Sequence, residues 1–504
     1  MNEDRSDLAT DHLAHNIGHH AVRGGVATLM GQSAKFLVQV ITTMILARLL
    51  VPGDFGLLAM VMAMTAFLTP FKDLGLSTAT LQRGELNHVQ ISNLFWINTG
   101  IGAVLASALT LTAPLISRFY DQPILLSTIC VFSLTFVLEG LGIQHRALLQ
   151  RQMRFMSLSF LEICAAVLAS IAAIGAAWKG MGHWALVIQQ LTLPFVIALG
   201  AWLICPWRPG VPSSKSGVRP MVTFGGQLTA SNILHAFSRN FDNVLIGWRW
   251  GASALGLYSK AYALLLLPLN QISRPLGAVA IASLSRLQNE PDRFRRFYCL
   301  LVTLLAFATT PVLVVMAVLS RDIILVVLGE QWLEASAIFT VLAIAALGQP
   351  VAGTIGLVYA SLGQADRELR WTLITTPLLM ASFLIGLPWG PLGVATAYAV
   401  AIHTIRFPTL WYAFRYAPVK TRDFLKAIWR PVAVSGWMFL FMTAARHYLT
   451  SQQPIERLII CCFVGGTAFV CAILVWPETR RETISLMRHV TELWHQPLKA
   501  PANL

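Results

Sequence analysis

The sequence predicts an all-α polytopic membrane protein of about fourteen transmembrane helices, built as two parallel six-helix repeats around a central cavity, with two more helices after them. Three observations predict it. The chain of 504 residues is 56% hydrophobic and 12% charged, with a mean hydropathy of +0.64; soluble domains carry about 25% charged residues. Apolar runs long enough to cross about 30 Å of hydrocarbon recur along the whole chain. The connections between them alternate between basic and nearly uncharged, which is the positive-inside pattern.

Residues 1–21 hold Asp4, Asp7, Asp11 and four histidines and no apolar core. That composition excludes a signal peptide, and 1–23 reads as a cytosolic tail. The six helix cores of an N-terminal bundle (24–204) follow at 24–48, 55–82, 94–117, 124–145, 156–177 and 183–204. After a cytosolic linker at 205–220, a C-terminal bundle (221–413) has cores at 221–247, 253–285, 298–319, 335–361, 371–388 and 391–413. Two additional helices, 428–446 and 456–476, fill 414–477, and 478–504 is a second cytosolic tail.

Loop charge orients these spans. Arg146, Arg151 and Arg154 follow the fourth span, and Arg208, Lys215 and Arg219 the sixth. Arg286, Arg293, Arg295 and Arg296 follow the eighth; Arg415, Lys420, Arg422 and Lys426 follow the twelfth. The alternate loops offer only Arg118 with Asp121, Lys179, Arg249, and Arg321 against Asp322, Glu330 and Glu334. Both termini are therefore expected in the cytoplasm. Residues 85–93 read as a short amphipathic linker on that face. Pro70, Pro268 and Pro275 interrupt apolar segments beside Lys72, Asp73 and Arg274. Each proline removes a backbone hydrogen bond, so these are expected kinks, either bending points around a cavity or ordinary accommodation within a bundle.

Along 224–274, Asn232, His235, Arg239 and Asp242 fall at relative positions 0, 3, 7 and 10, one face of a helix. A charge at bilayer depth costs roughly 2.5–3.5 kcal/mol on insertion scales, so it faces water or a partner. Arg239 and Asp242 could form an ion pair that only pins helices, but Lys260 and Arg274 have no acidic residue nearby in sequence. The stripe reads as the wall of a polar cavity. A shift of 200 residues carries Gly56 onto Gly256 and sets Gln32, Lys35, Gln39 and Thr42 opposite the same stripe. Six spans separate the two copies, so the repeats run parallel, and repeats of that kind enclose the substrate between two bundles.

Other classes fit poorly. The net charge of +14 lies in short loops, and no basic domain exists to hold nucleic acid. The seven cysteines lie in or beside apolar runs without a Cys-x-x-Cys pair, which argues against disulfides and zinc. No Gly-rich phosphate loop, Asp-x-Asp pair or Ser–His–Asp constellation presents itself for an enzyme.

Several fragments, in order, carry a resemblance: ILARLLVPGDFGLLA (45–59), KDLGLSTATLQR (72–83), FWIN (95–98), HRALLQRQMRF (145–155), SRNFDNVLIG (238–247), LGLYSKAY (255–262) and SRPLGAVAIASLSRLQ (273–288). The chain resembles the polysaccharide transporters of the multidrug/oligosaccharidyl-lipid/polysaccharide exporter superfamily, the Wzx-type flippases, and most of all their lipopolysaccharide or colanic acid exporters. The likeness covers about the first three quarters of the sequence; Trp248 and Trp250 depart from it, standing in a turn where the family has small or aliphatic residues. It implies two six-helix bundles, alternating access, and a lipid-linked oligosaccharide moved from the cytoplasmic to the periplasmic leaflet of a bacterial inner membrane, with a polysaccharide polymerase and chain-length proteins as partners. Arg239, Lys260, Arg274 and Lys35, with Asn232 and His235, would meet the pyrophosphate; Arg48, Lys72 and Arg83 lie nearer the membrane faces. Asp242, Asp73, Glu139 and Glu162 would either carry a coupling proton or sodium ion or balance the basic lining. No other cofactor or metal is expected. The rivals are a drug or metabolite cation exporter of the same superfamily, which would want an acidic cavity, and a membrane polymerase or ligase, which would want a large extramembrane loop.

Overall fold

A computed structural model describes residues 17–82, 86–213 and 219–476, with side chains described essentially from residue 28 onward in the first stretch and from 239 onward in the third. Among the described residues it is 86% helical and has no strand. The chain divides into two compact units, Met1–Gly256 and Leu257–Leu504.

In the first unit the helices are α1 (Ile17–Leu49), α2 (Pro52–Thr65), α3 (Leu76–Gln82), α4 (His88–Phe119), α5 (Ile124–Arg151), α6 (Phe155–Trp178) and α7 (His183–Ile204). Local chemistry places their ends. Pro52 stands in the first turn of α2, where its missing N–H costs nothing, and the Asp54 carboxylate accepts from Val51 N at 3.2 Å. Asn87 caps α4: its side chain accepts from Gln90 N at 2.8 Å, and Gln90 Oε1 accepts from Asn87 N at 3.3 Å. The expected linker at 85–93 is thus, from Asn87 on, the cap and first turn of α4; Glu85 and Arg83 lie outside the described residues. Helix α4 packs along α5, α5 on α7, α7 on α6, and α6 on α1.

Proline breaks the second span where it was expected. After α2 come a 3-10 turn at Thr69–Phe71 holding Pro70, then Leu74 and Gly75 at positive φ, 44° and 66°. The two pieces of the span meet at a 55° bend. The other two prolines behave differently. Helix α8 (Arg219–Arg286) keeps helical backbone angles through Pro268 and Pro275, and its non-helical residue is Gly251, at φ 79° and ψ −175°. Proline's fixed φ suits a helix, and neighbours in a bundle can satisfy the one freed carbonyl. Gly251 adopts a backbone conformation that a side chain would strain. Just before it, Trp248 stacks on Phe119 with 6.2 Å between ring centroids.

The expected linker at 205–220 is described as far as Ser213, and that part is strapped to α4. Trp96 Nε1 donates to Gly210 O at 2.8 Å, Gly210 N to Ser92 Oγ at 2.9 Å, and Ser213 N to Asn93 Oδ1 at 2.8 Å. Trp207 lies against Phe95 and the buried ring of His145.

In the second unit, α9 (Pro291–Val318), α10 (Ser320–Val327), α11 (Ala335–Ala346), α12 (Gln349–Ala352), α13 (Thr354–Ser361), α14 (Ala365–Gly386), α15 (Gly390–Phe414), α16 (Thr421–Tyr448) and α17 (Pro454–Val475) follow the C-terminal part of α8. Phe294, Tyr298, Tyr359, Phe414 and Phe424 centre a core where α9, α13, α15 and α16 meet. Arg457 on α17 pairs with the fully buried Asp322 on α10, which ties the last helix to the unit.

Among the described residues, eleven helices are long and apolar enough to cross a membrane, or twelve with the bent pair at Pro70 counted as one span. The expected number was about fourteen. Two of the eleven are long segments with a break inside them: 239–286, broken at Gly251, and 365–414, where α14 and α15 meet across the turn Leu387–Trp389.

Candidate functional site

Helix α5 sets up the site. Glu139, Ile143, Arg146 and Gln150 stand at i, i+4, i+7 and i+11, which puts them on one face. That face borders two clefts of about 420 Å³ each, and both are lined by Ile143 and Arg146. The first also takes Thr65, Thr69 and Lys72 from the broken second span, Gln190 from α7 and Asn240 from α8. The second takes Gln32 from α1, Asp73 and Ser77, and Ser159 and Glu162 from α6. All these residues belong to the first unit.

Two cations, Lys72 and Arg146, and three carboxylates share these walls, and a third cation, Lys35, reaches the Glu162 carboxylate. The Lys72 ammonium is 3.0 and 2.8 Å from the two oxygens of Glu139 and lies 4.8 Å from the centroid of the Phe136 ring. Glu162 serves two cations: Oε2 accepts from Lys35 Nζ at 2.7 Å, and Oε1 lies 3.5 Å from Arg146 Nη2. Asp73 is engaged locally, with Oδ1 accepting from Ser77 N at 3.0 Å and Oδ2 from Ser77 Oγ, so it caps the short α3. The broken span matters here. Ending α2 at Thr65 and restarting helix at Leu76 turns Lys72 and Asp73 towards α5 and α6 rather than continuing one straight rod.

Of the residues singled out from sequence, Asp73 and Glu139 thus line the clefts, together with Lys72 and Glu162, and Lys35 meets them through its pair with Glu162. Arg239 is exposed on α8 next to Asn240, and Asp242 is 6% exposed with Oδ1 accepting from Asn243 N at 2.8 Å. The side chains of Asn232 and His235 lie outside the described residues. Lys260, half-buried, and Arg274, exposed, belong to the second unit. The residue that sequence reasoning missed is Arg146. Read as a loop marker, it is in fact one and a half turns inside α5 and borders both clefts.

Thr42, which the 200-residue shift pairs with Asp242, is buried and donates to Ser170 Oγ at 2.7 Å. The shift also exchanges a set of backbone contacts. A Cβ on Gly56 would stand 1.7 Å from Ala252 O, one on Gly256 would stand 1.9 Å from Pro52 O, and one on Gly53 would stand 3.3 Å from Ser253 Oγ.

The chain is similar to known proteins at low identity. The family model described as "Polysaccharide biosynthesis protein" matches residues 45–337. The teichuronic acid biosynthesis protein TuaB of Bacillus subtilis is 26% identical over 83% of this chain and 88% of its own. The lipopolysaccharide biosynthesis protein WzxC of Escherichia coli K12 is 25% identical over 78% of this chain and 80% of its own. Among solved structures, the lipid II flippase MurJ in an inward closed conformation superposes with a TM-score of 0.70 at 15% identity, over 90% of this chain and 98% of that one.

Proposed function

Because the chain belongs to the polysaccharide biosynthesis protein family, we propose that it is an alternating-access flippase that moves a polyprenyl-pyrophosphate-linked oligosaccharide from the cytoplasmic to the periplasmic leaflet of a bacterial inner membrane, for exopolysaccharide or lipopolysaccharide synthesis. The observation that carries this reading is that Lys72 and Arg146 line clefts inside a bundle of span-length helices, with Lys35 joined to the same clefts through Glu162. The isoprenoid tail of such a substrate can stay in lipid. Its pyrophosphate cannot, because an isolated anion in hydrocarbon costs many kcal/mol. An ammonium or a guanidinium in a wet cleft removes that cost, the guanidinium through a planar fork that matches two phosphate oxygens. Thr65, Thr69, Gln190 and Asn240 offer the neutral hydrogen-bonding groups that a sugar chain needs.

In this reading Arg239, Lys260 and Arg274, with Asn232 and His235, are the further candidates for meeting the anion. Asp242, Asp73 and Glu139 are the candidates for a coupling proton or sodium ion. A hydrophilic glycan delivered to the outer leaflet is a substrate for a polymerase and its chain-length partner, which makes those proteins the expected neighbours. Both termini face the cytoplasm. A cationic drug is a poorer fit, since the three carboxylates Asp73, Glu139 and Glu162 stand among as many cations, Lys35, Lys72 and Arg146, and leave no surplus of negative charge.

Reconstitution tests the proposal. Purified protein in vesicles loaded with a polyprenyl-pyrophosphate oligosaccharide should expose inner-leaflet glycan to a membrane-impermeant label. Labelling no faster than in protein-free vesicles overturns the flippase reading.

A further inference from the structure

Glu162 is placed unlike the other two carboxylates of the clefts. Glu139 answers to one cation, Lys72, and Asp73 is engaged by Ser77. Glu162 spans two helices' worth of cations, Lys35 on α1 and Arg146 on α5. The three side chains are 28% (Glu162), 39% (Lys35) and 44% (Arg146) exposed, so water and a small anion can reach them. Its two oxygens therefore occupy the very donors that two oxygens of a diphosphate would take.

Resting on the reading that these clefts handle a diphosphate, we propose that Glu162 is a resident competitor of the transported anion. The anion displaces the Glu162 carboxylate from Lys35 and Arg146, and the returning carboxylate helps expel it. Diphosphate carries more charge than a carboxylate and suits the Arg146 fork, so it wins while it is in the cleft. The Arg146 contact is the long one at 3.5 Å, and it is the contact that yields first. When the anion leaves, Glu162 closes on both cations again, and the empty protein is not left with two unpaired charges at membrane depth. A carrier lacking this competitor would hold its anion more tightly and release it more slowly, since its empty state would be the costlier one.

The test uses purified full-length protein in detergent, with inorganic pyrophosphate as the probe and calorimetric titration as the readout. Glu162→Gln should bind pyrophosphate about tenfold more tightly than wild type, a modest change because the pair is partly screened by water. Glu162→Asp, one methylene shorter, should fall between the two. In cells, Glu162→Gln should export less polysaccharide per molecule of membrane protein despite its tighter binding. Lys35→Gln and Arg146→Gln should both lose pyrophosphate binding. If those two lose it while Glu162→Gln binds no better than wild type, the cleft is an anion site and the competitor role is wrong. If neither loses it, the anion reading of the cleft is wrong as well. Should Glu162→Gln fail to fold, Glu162→Asp decides, because binding equal to or weaker than wild type overturns the proposal.

Discussion

At Lys72 one ammonium contacts both oxygens of Glu139 and the face of Phe136. With 23% and 35% of their side chains exposed, Lys72 and Glu139 are only partly shielded. Losing one partner leaves the other charge poorly compensated, at a cost of about 1–3 kcal/mol. Lys72→Gln and Glu139→Gln should therefore each lower the melting temperature of the purified protein by several degrees, and the double change should restore most of it. Export separates structure from transport. If Lys72 also meets the pyrophosphate, the double variant stays defective in surface polysaccharide although its stability returns; full recovery of export would show that the pair only balances charge. Glu139 was legible as a carboxylate near membrane depth and Lys72 as a cation nearer a membrane face, but their meeting was not, since 67 residues separate them. Arg146 was illegible for a different reason. A cluster of arginines at the end of an apolar run normally marks a loop, and the competing signal, the helical face shared with Glu139, Ile143 and Gln150, runs from 139 to 150 across the point where the run was taken to end.

Among the elements, α2 and α8 approach each other closely by backbone in the first unit, at their crossing just after Gly251. Gly56 and Gly256 each let a carbonyl of the other helix sit where a Cβ would be, Ala252 O in one case and Pro52 O in the other. Neither clash can be relieved by rotating a side chain, because both obstacles are backbone. Gly56→Ala and Gly256→Ala should each force the helices apart and cost about 1–3 kcal/mol, read as a lower melting temperature, whereas Gly100→Ala on α4, where added bulk meets nothing within 4 Å, should be neutral. Equal stability of all three variants would show that the crossing gives way. The 200-residue shift paired Gly56 with Gly256 as copies in a repeat, a signal carried by residues that shape the backbone, but it did not say that the two meet. The break at Pro70 was legible from the same kind of signal. At Pro268 and Pro275 the sequence left a bending point and ordinary accommodation open, because a proline alone does not say whether its neighbours absorb the lost hydrogen bond; the helical angles continue through both.

For the whole molecule, orientation rests on arginine and lysine in the loops, and the structure sharpens that count. Moving Arg146 into α5 removes one charge from the loop after the fourth span, yet Arg151 and Arg154 remain at its edges. Both are also anchored: Arg151 Nη1 donates to Thr80 O at 3.0 Å, and Arg154 Nη1 to Ile204 O at 3.3 Å, at the C-terminal end of α7 where a cation is favoured. Farther on, Arg293 and Arg295 are exposed beside Glu290 and Asp292 at the start of α9, and Lys420 opens α16. These are short loops, the kind in which positive charge resists translocation. On the other side, Asp121 and Glu330 stand in turns with little basic charge. Fusions of a cytoplasm-active reporter at Arg151, Arg295 and Lys420, and at Ser214, which lies outside the described residues, should therefore be active. A periplasm-active reporter should report from Asp121 and Glu330. The decisive position is Ser214, between the two repeats. A periplasmic signal there would mean an odd number of spans before it, the second half would run inverted relative to the first, and the parallel repeat inferred from the 200-residue shift would fall.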